Sequence, residues 1–189
     1  MRLVSLTLAL AGGLAMTTPL AAQGRQVFIN RVRLPEATLN ALEQAGAPRI
    51  PNGRYWYDPQ CGAWGLEGGQ ARGFVMAGLQ LGGPLPADIS GGGTGVFING
   101  RELHPLDVQG LQQLVGPVQR GRYWVDAQGN AGLEGGPVLV NLFQLASQLY
   151  RQNGGVGENY GNGGSAYMNS NTGIGIITDG QGGAAVFNH

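Results

Sequence analysis

GRYWYDPQCGAWGLEGG, residues 53–69, returns in altered form as GRYWVDAQGNAGLEGG, residues 121–136. Each copy reads as a β-hairpin: RYWYD or RYWVD, a turn at PQCG or AQG, then AWGLE or NAGLE. A second pair of matching segments lies upstream. VFINRVRLPEATLNALEQAG begins at Val27 and VFINGRELHPLDVQGLQQLVG at Val96. The offset between copies is 69 residues at first, 68 at GRYW and 67 at LEGG. Two single-residue length changes in loops account for the drift. The chain is an internal duplication.

Within each copy a short strand rich in β formers comes first, Val27–Asn30 or Val96–Asn99. A helix follows. Leu39, Leu42 and Ala45 form its apolar stripe in the first copy, and Val108, Leu111, Leu114 and Val115 in the second. Pro35 and Pro105 suit the first turn, and Gly46 and Gly116 are placed to stop the helices. The expected fold is α+β, with two tandem strand-helix-hairpin repeats, a C-terminal helix and a glycine-rich β-hairpin. The boundaries read as a signal peptide at 1–22, repeat 1 at 23–69, a linker at 70–94 and repeat 2 at 95–137. A helix at 138–152 and a glycine-rich tail with a hairpin at 153–189 complete the chain. A unit of about 43 residues is too small for a stable core of its own, so the copies are expected to pack on something.

The N-terminus has the three parts of a secretion signal. Met1-Arg2 is positive, LVSLTLALAGGLAM is apolar, and Leu20-Ala21-Ala22 offers small residues for cleavage. The chain is therefore expected to be secreted or periplasmic, with no transmembrane segment after cleavage. All eleven basic residues are Arg, balanced by eleven acids, and the net charge is zero. A nucleic-acid partner is not expected without a basic surplus. The absence of Lys excludes Schiff-base and phosphate-loop chemistry, so GGGTG at 91–95 reads as connector. No cofactor and no metal is expected. The histidines, His104 and His189, lie far from the single Cys61. His104 sits at a helix start and reads as a cap. Cys61 falls in a hairpin turn, where an exposed thiol or a disulfide between two chains is the expectation.

The candidate binding residues are Arg54, Trp56, Asp58 and Trp64 in the first copy, with Arg122, Trp124 and Asp126 in the second. Alternation puts Arg54, Trp56 and Asp58 on one strand face and Tyr55 and Tyr57 on the other. The second copy repeats the Arg-Trp-Asp face and exchanges Tyr57 for Val125, so the Tyr face reads as buried. A Trp between a cation and an anion suits a sugar ring or a peptide. It equally suits packing, with Arg on an aromatic ring and Asp capping the turn. Asp58 with Glu67, and Asp126 with Glu134, are the available carboxylate pairs, but a glycosidase needs a deeper cleft than one hairpin provides.

The hairpin motif resembles the aromatic repeats of cell-wall-binding modules, G-x-W-Y-Y-x-x-x-x-G-x-M-x-x-G, over about 15 residues per copy. In those modules, aromatics of successive hairpins cage choline or rest on wall polysaccharide. The wider layout, VFING…GRYW-D…G…EGG, resembles repeats of uncharacterised secreted bacterial proteins over most of residues 27–137. That resemblance implies export and no particular mechanism. The resulting expectation is an exported non-catalytic protein that binds an envelope or extracellular glycan or protein through the hairpin aromatics. The rival is a structural or self-assembling surface protein acting through its glycine-rich C-terminal strands or Cys61.

Overall fold

A computed structural model describes residues 24–152 and four later strands, 158–160, 164–169, 174–178 and 184–188. The expected signal segment lies outside the described residues, as do parts of the glycine-rich tail. The chain is α+β and contains two similar five-stranded mixed sheets, each with a helix, followed by a C-terminal helix.

The first copy comprises β1 (Val27–Ile29), β2 (Val32–Arg33), α1 (Glu36–Gln44), β3 (Gly53–Tyr57), β4 (Ala63–Leu66) and β5 (Ala71–Phe74). The second comprises β6 (Val96–Ile98), β7 (Arg101–Glu102), α2 (Pro105–Val115), β8 (Gly121–Val125), β9 (Asn130–Leu133) and β10 (Val140–Asn141). The first sheet runs β5-β4-β3-β1-β2 and the second β10-β9-β8-β6-β7. β1 pairs parallel with β3, and β6 with β8, so α1 and α2 are the crossovers that parallel pairing demands. α2 starts as expected, with Pro105 in its first turn and His104 Nδ1 accepting the Leu106 amide at 3.2 Å.

Three regions differ from expectation. In the 70–94 linker the apolar first half, expected on the surface or as a strand, forms β5 at 71–74, whereas the second half, expected as a flexible connector, holds the fully buried Ile89 and Ser90. The last helix was expected from Val138. It is α3, Leu142–Gln152, because Val140–Asn141 pair with β9 as β10. The two-residue strands β2 and β7 were not foreseen; each folds back on its predecessor. The C-terminal strands are β11 (Glu158–Tyr160), β12 (Gly164–Asn169), β13 (Ile174–Thr178) and β14 (Ala184–Asn188). β13 and β14 form the expected antiparallel hairpin, and β14 joins the first sheet at β5.

One asparagine per copy locks the sheet. Asn30 and Asn99 follow the first strands with φ of 50° and 52°, a backbone region that asparagine tolerates better than most residues. This turn aims the side chain at the neighbouring strand. Asn30 Nδ2 donates to Tyr57 O at 2.9 Å and its Oδ1 accepts from Tyr57 N at 2.9 Å. Asn99 does the same with Val125, at 2.8 and 3.0 Å. The amide thus acts as one more strand residue where the parallel ladder ends.

Two cores result. Val27, Ile29, Leu34, Leu39 and Tyr57 pack beneath α1. Trp56, Cys61, Ala63, Ile89, Val125 and Ala131 form the other, which joins the copies. Because Asn30 is buried, Asn30→Ala leaves main-chain groups of Tyr57 unpaired. It should cost about 2–4 kcal/mol in urea unfolding. Asn40→Ala, at an exposed position, should cost less than about 1 kcal/mol. Equal losses would dismiss the strand-locking role.

Candidate functional site

Six of the seven residues singled out in the hairpins make the same contacts in both copies, and Trp64 stands alone. Trp56 lies opposite Gly65 across β3–β4, and Trp124 opposite Gly132 across β8–β9. A Cβ on Gly65 would come within 2.7 Å of the Trp56 ring, and one on Gly132 within 2.9 Å of Trp124 Nε1. The indole therefore needs glycine beside it. Its N–H donates to Gly69 O or Gly136 O, each at 3.1 Å, which ties down the end of the EGG segment. Arg54 pairs with Glu67 and Arg122 with Glu134, and the guanidiniums stand over Phe28 and Phe97, 5.1 and 5.3 Å from the ring centroids. Asp58 Oδ1 accepts the Gln60 amide at 2.8 Å, and Asp126 Oδ1 the Gln128 amide at 2.9 Å, so both aspartates cap their turns. Trp64, half-buried, packs against Tyr55 with ring centroids 6.3 Å apart.

In the first copy these contacts bury Trp56 and Asp58, while Arg54 and Arg122 stay exposed and Trp124 and Asp126 are half-buried. Trp56 is fully buried and offers no platform to a sugar ring. What covers it is a cation from the other copy. Arg101 is itself buried, and its guanidinium sits 3.9 Å from the Trp56 ring centroid. Nη1 donates to Ser90 Oγ at 2.6 Å and to Asp107 Oδ2 at 3.2 Å. The other oxygen of Asp107 accepts the Ala71 amide of β5 at 2.8 Å. Asn99 donates to Asp58 Oδ2 at 2.8 Å, a further bond between copies. Sequence reasoning missed Arg101, Ser90 and Asp107. The one available signal was that Arg101 stands where the first copy has Val32, which is 47% exposed.

The carboxylate pairs do not form. Asp58 is committed to its turn, to Asn99 and to the Cys61 thiol, which donates to Oδ2 at 3.2 Å. Glu67 is held instead by Arg54 and then Arg31, which keep its carboxyl below the usual range. Cys61 corrects another expectation: it is buried, not exposed. Burial first, and the Asp58 charge second, push its thiol well above the ordinary range. A disulfide between chains through Cys61 is therefore blocked in the folded state. Among the described residues, no three His, Cys, Asp or Glu side chains gather as a metal-ligand set. No described helix is long and apolar enough to cross a membrane.

The copies diverge at one place. Tyr57 pairs across β3–β4 with Trp64, and the corresponding pair on β8–β9 is Val125 with Ala131. In the first copy both rings pack in the core under α1, and Tyr57 hydroxyl donates to Met76 O at 2.7 Å and accepts from Leu79 N at 3.1 Å. In the second copy both rings are missing. An apolar cleft of about 190 Å³ lies there, lined by Leu111 and Val115 of α2, by Val125 and Ala131, by Leu139 just before β10 and by Leu142 at the start of α3. Leu139 is 63% exposed and Val115 39%. Strand register sets Leu139 where the first copy has Arg72, since Val140 opposes Ala131 as Gly73 opposes Trp64.

Two plant proteins resemble part of the chain. Extra-large guanine nucleotide-binding protein 1 of Arabidopsis thaliana is 35% identical over 113 residues, 58% of this chain and 13% of that protein. Extra-large guanine nucleotide-binding protein 2 is 30% identical over 115 residues, 59% of this chain and 13% of its own length. The chain thus spans about 13% of the length of the curated relatives it matches. No protein-family model matches, and neither does any solved structure. These findings overturn the likeness to wall-binding modules and to repeats of secreted bacterial proteins. The matching stretches belong to plant proteins of another description, and the aromatics behind the likeness are packing residues.

Removing one partner of a buried ion pair strands the other charge. Asp107→Ala should therefore cost about 3–5 kcal/mol in chemical denaturation, and Arg101→Met distinctly less. The reverse order would show that Asp107 does not compensate Arg101.

Proposed function

We propose that the protein is an exported, non-catalytic binding module whose ligand-facing surface is the cleft of the second copy. The observation that carries this reading is the apolar mouth at Leu139 and Val115, set where the first copy carries Arg72 and a filled core. Apolar pockets with few polar groups are the usual form of small-ligand sites. The likeness to short stretches of much longer plant proteins supports a module that serves in more than one protein context. Export rests on residues 1–22 alone. The guanine nucleotide named for those relatives is not carried over. A phosphate-binding loop requires a Lys, and this chain has none.

The dye anilinonaphthalene sulfonate reports accessible apolar surface. The native chain should enhance its fluorescence, and Leu139→Arg, which copies the first repeat, should lower that enhancement severalfold with the far-ultraviolet spectrum unchanged. A native chain that leaves the dye dark, or a variant that matches it, ends this reading.

A second reading has its own observation. β11 is the outer strand of a sheet extended from five strands to nine, and an edge strand is a template for pairing with another chain. Self-assembly through these strands predicts oligomers that grow with concentration in sedimentation velocity and vanish in a chain ending at Gln152. A single species at all concentrations would dismiss it.

A further inference from the structure

The cleft has a built-in template for its occupant, because the first copy shows what fills the same space. Tyr57 and Trp64 occupy the helix-facing core of that copy, and Val125 and Ala131 replace them in the second. The missing material is therefore two aromatic rings. An apolar cavity of roughly 150 Å³ suffices to hold benzene, and this cleft measures about 190 Å³. No charged side chain lines it, so an ion would enter without a partner. The only side-chain hydroxyl in the lining, that of Tyr123, already donates to Gln119 O at 2.9 Å. The backbone groups that receive the Tyr57 hydroxyl come from the loop after β5. After β10 the chain enters α3 at once, where the Leu142 amide donates to Gly129 O at 2.8 Å and the Gln144 amide to Asn141 Oδ1 at 2.9 Å.

We propose that the cleft beneath α2 binds a small uncharged aromatic molecule, of one fused or single ring system, in the place that Tyr57 and Trp64 fill in the first copy. This rests on the binding-module reading and names the ligand class of the same cleft. Selectivity follows from the lining. Indole and toluene fit a dry apolar wall, whereas benzoate would bury a carboxylate without a donor. The exposed Leu139 and Val115 mark the entrance.

The test is a methyl-detected NMR titration of the full chain with indole, and with benzoate as the charged control. Indole should give saturable shifts at Val125, Ala131, Leu111 and Val115, and benzoate none there. Ala131→Trp, which restores the ring of the first copy, should weaken indole binding at least tenfold. If that variant does not fold, Val125→Phe fills the same space from the opposite strand and should do likewise. Absence of saturable shifts at millimolar indole overturns the inference, as does binding that the filling variants leave intact. Equal binding of benzoate overturns it too. Dye binding at Leu139 without indole shifts at Val125 and Ala131 would overturn this inference alone and leave the binding face standing.

Discussion

Everything in this fold leans on a buried cation. Arg101 from the second copy stands over Trp56 of the first, with Asp107 and Ser90 as its hydrogen-bonded partners. Each copy alone is too small to exclude water from a core. Joining them requires a surface on each that tolerates the other, and duplication alone does not provide one. A copy identical to the first would present Val32 at this position, with nothing to reach across. The Val-to-Arg difference breaks the symmetry of the repeat and turns two halves into one body. Its cost is the desolvation of a guanidinium, which the indole face and the Asp107 carboxylate offset.

Around that contact the hairpins repeat one solution. Each uses a Trp over a cross-strand Gly, an indole N–H on the last Gly carbonyl, an Arg–Glu pair on the outside and an Asp in the turn. None of these contacts needs a ligand, which explains why the motif is kept in both copies. The energetic weight sits in the indoles, buried for Trp56 and half-buried for Trp124, and in the paired backbone groups. The exposed Arg–Glu pairs add little, since such pairs contribute about 0–1 kcal/mol.

Much of this was readable in the residues, and the failures have a common cause. The duplication, both hairpins, both crossover helices and the His104 cap follow from local patterns: alternation, three-to-four spacing and turn residues. β2 and β7 are two residues long, too short for alternation to register. β5 and β10 follow the EGG turns as third strands, and Val138-Leu139-Val140 was read as helix because α3 continues the apolar run. The fate of Trp56 was out of reach for another reason. Its face alternates correctly, but what covers it comes from 45 positions further along the chain, and no local period reports such a contact. The Tyr57-to-Val125 exchange was read correctly as a buried face. Its companion, Trp64 to Ala131, gives the exchange its meaning, because only the two together remove enough volume to open a cleft.

That pairing bears on why the second copy keeps a void. A fully enclosed cavity costs about 24 cal/mol per Å³, which at 190 Å³ approaches 4–5 kcal/mol, less here because the cleft opens to solvent. A single small domain with a few kcal/mol of reserve would lose much of it. Here the second sheet is held from outside the cleft, by Asn99 on Asp58, by Arg101 on Trp56 and by Asp107 on the Ala71 amide. Val125 and Ala131, which line the cleft, also belong to the core that joins the copies, so one side of the cleft wall is braced by the first copy. The first copy, with its rings in place, supplies stability that offsets the open cleft of the second. Duplication thus separates the two tasks: one copy carries a closed core, and the other carries the cleft.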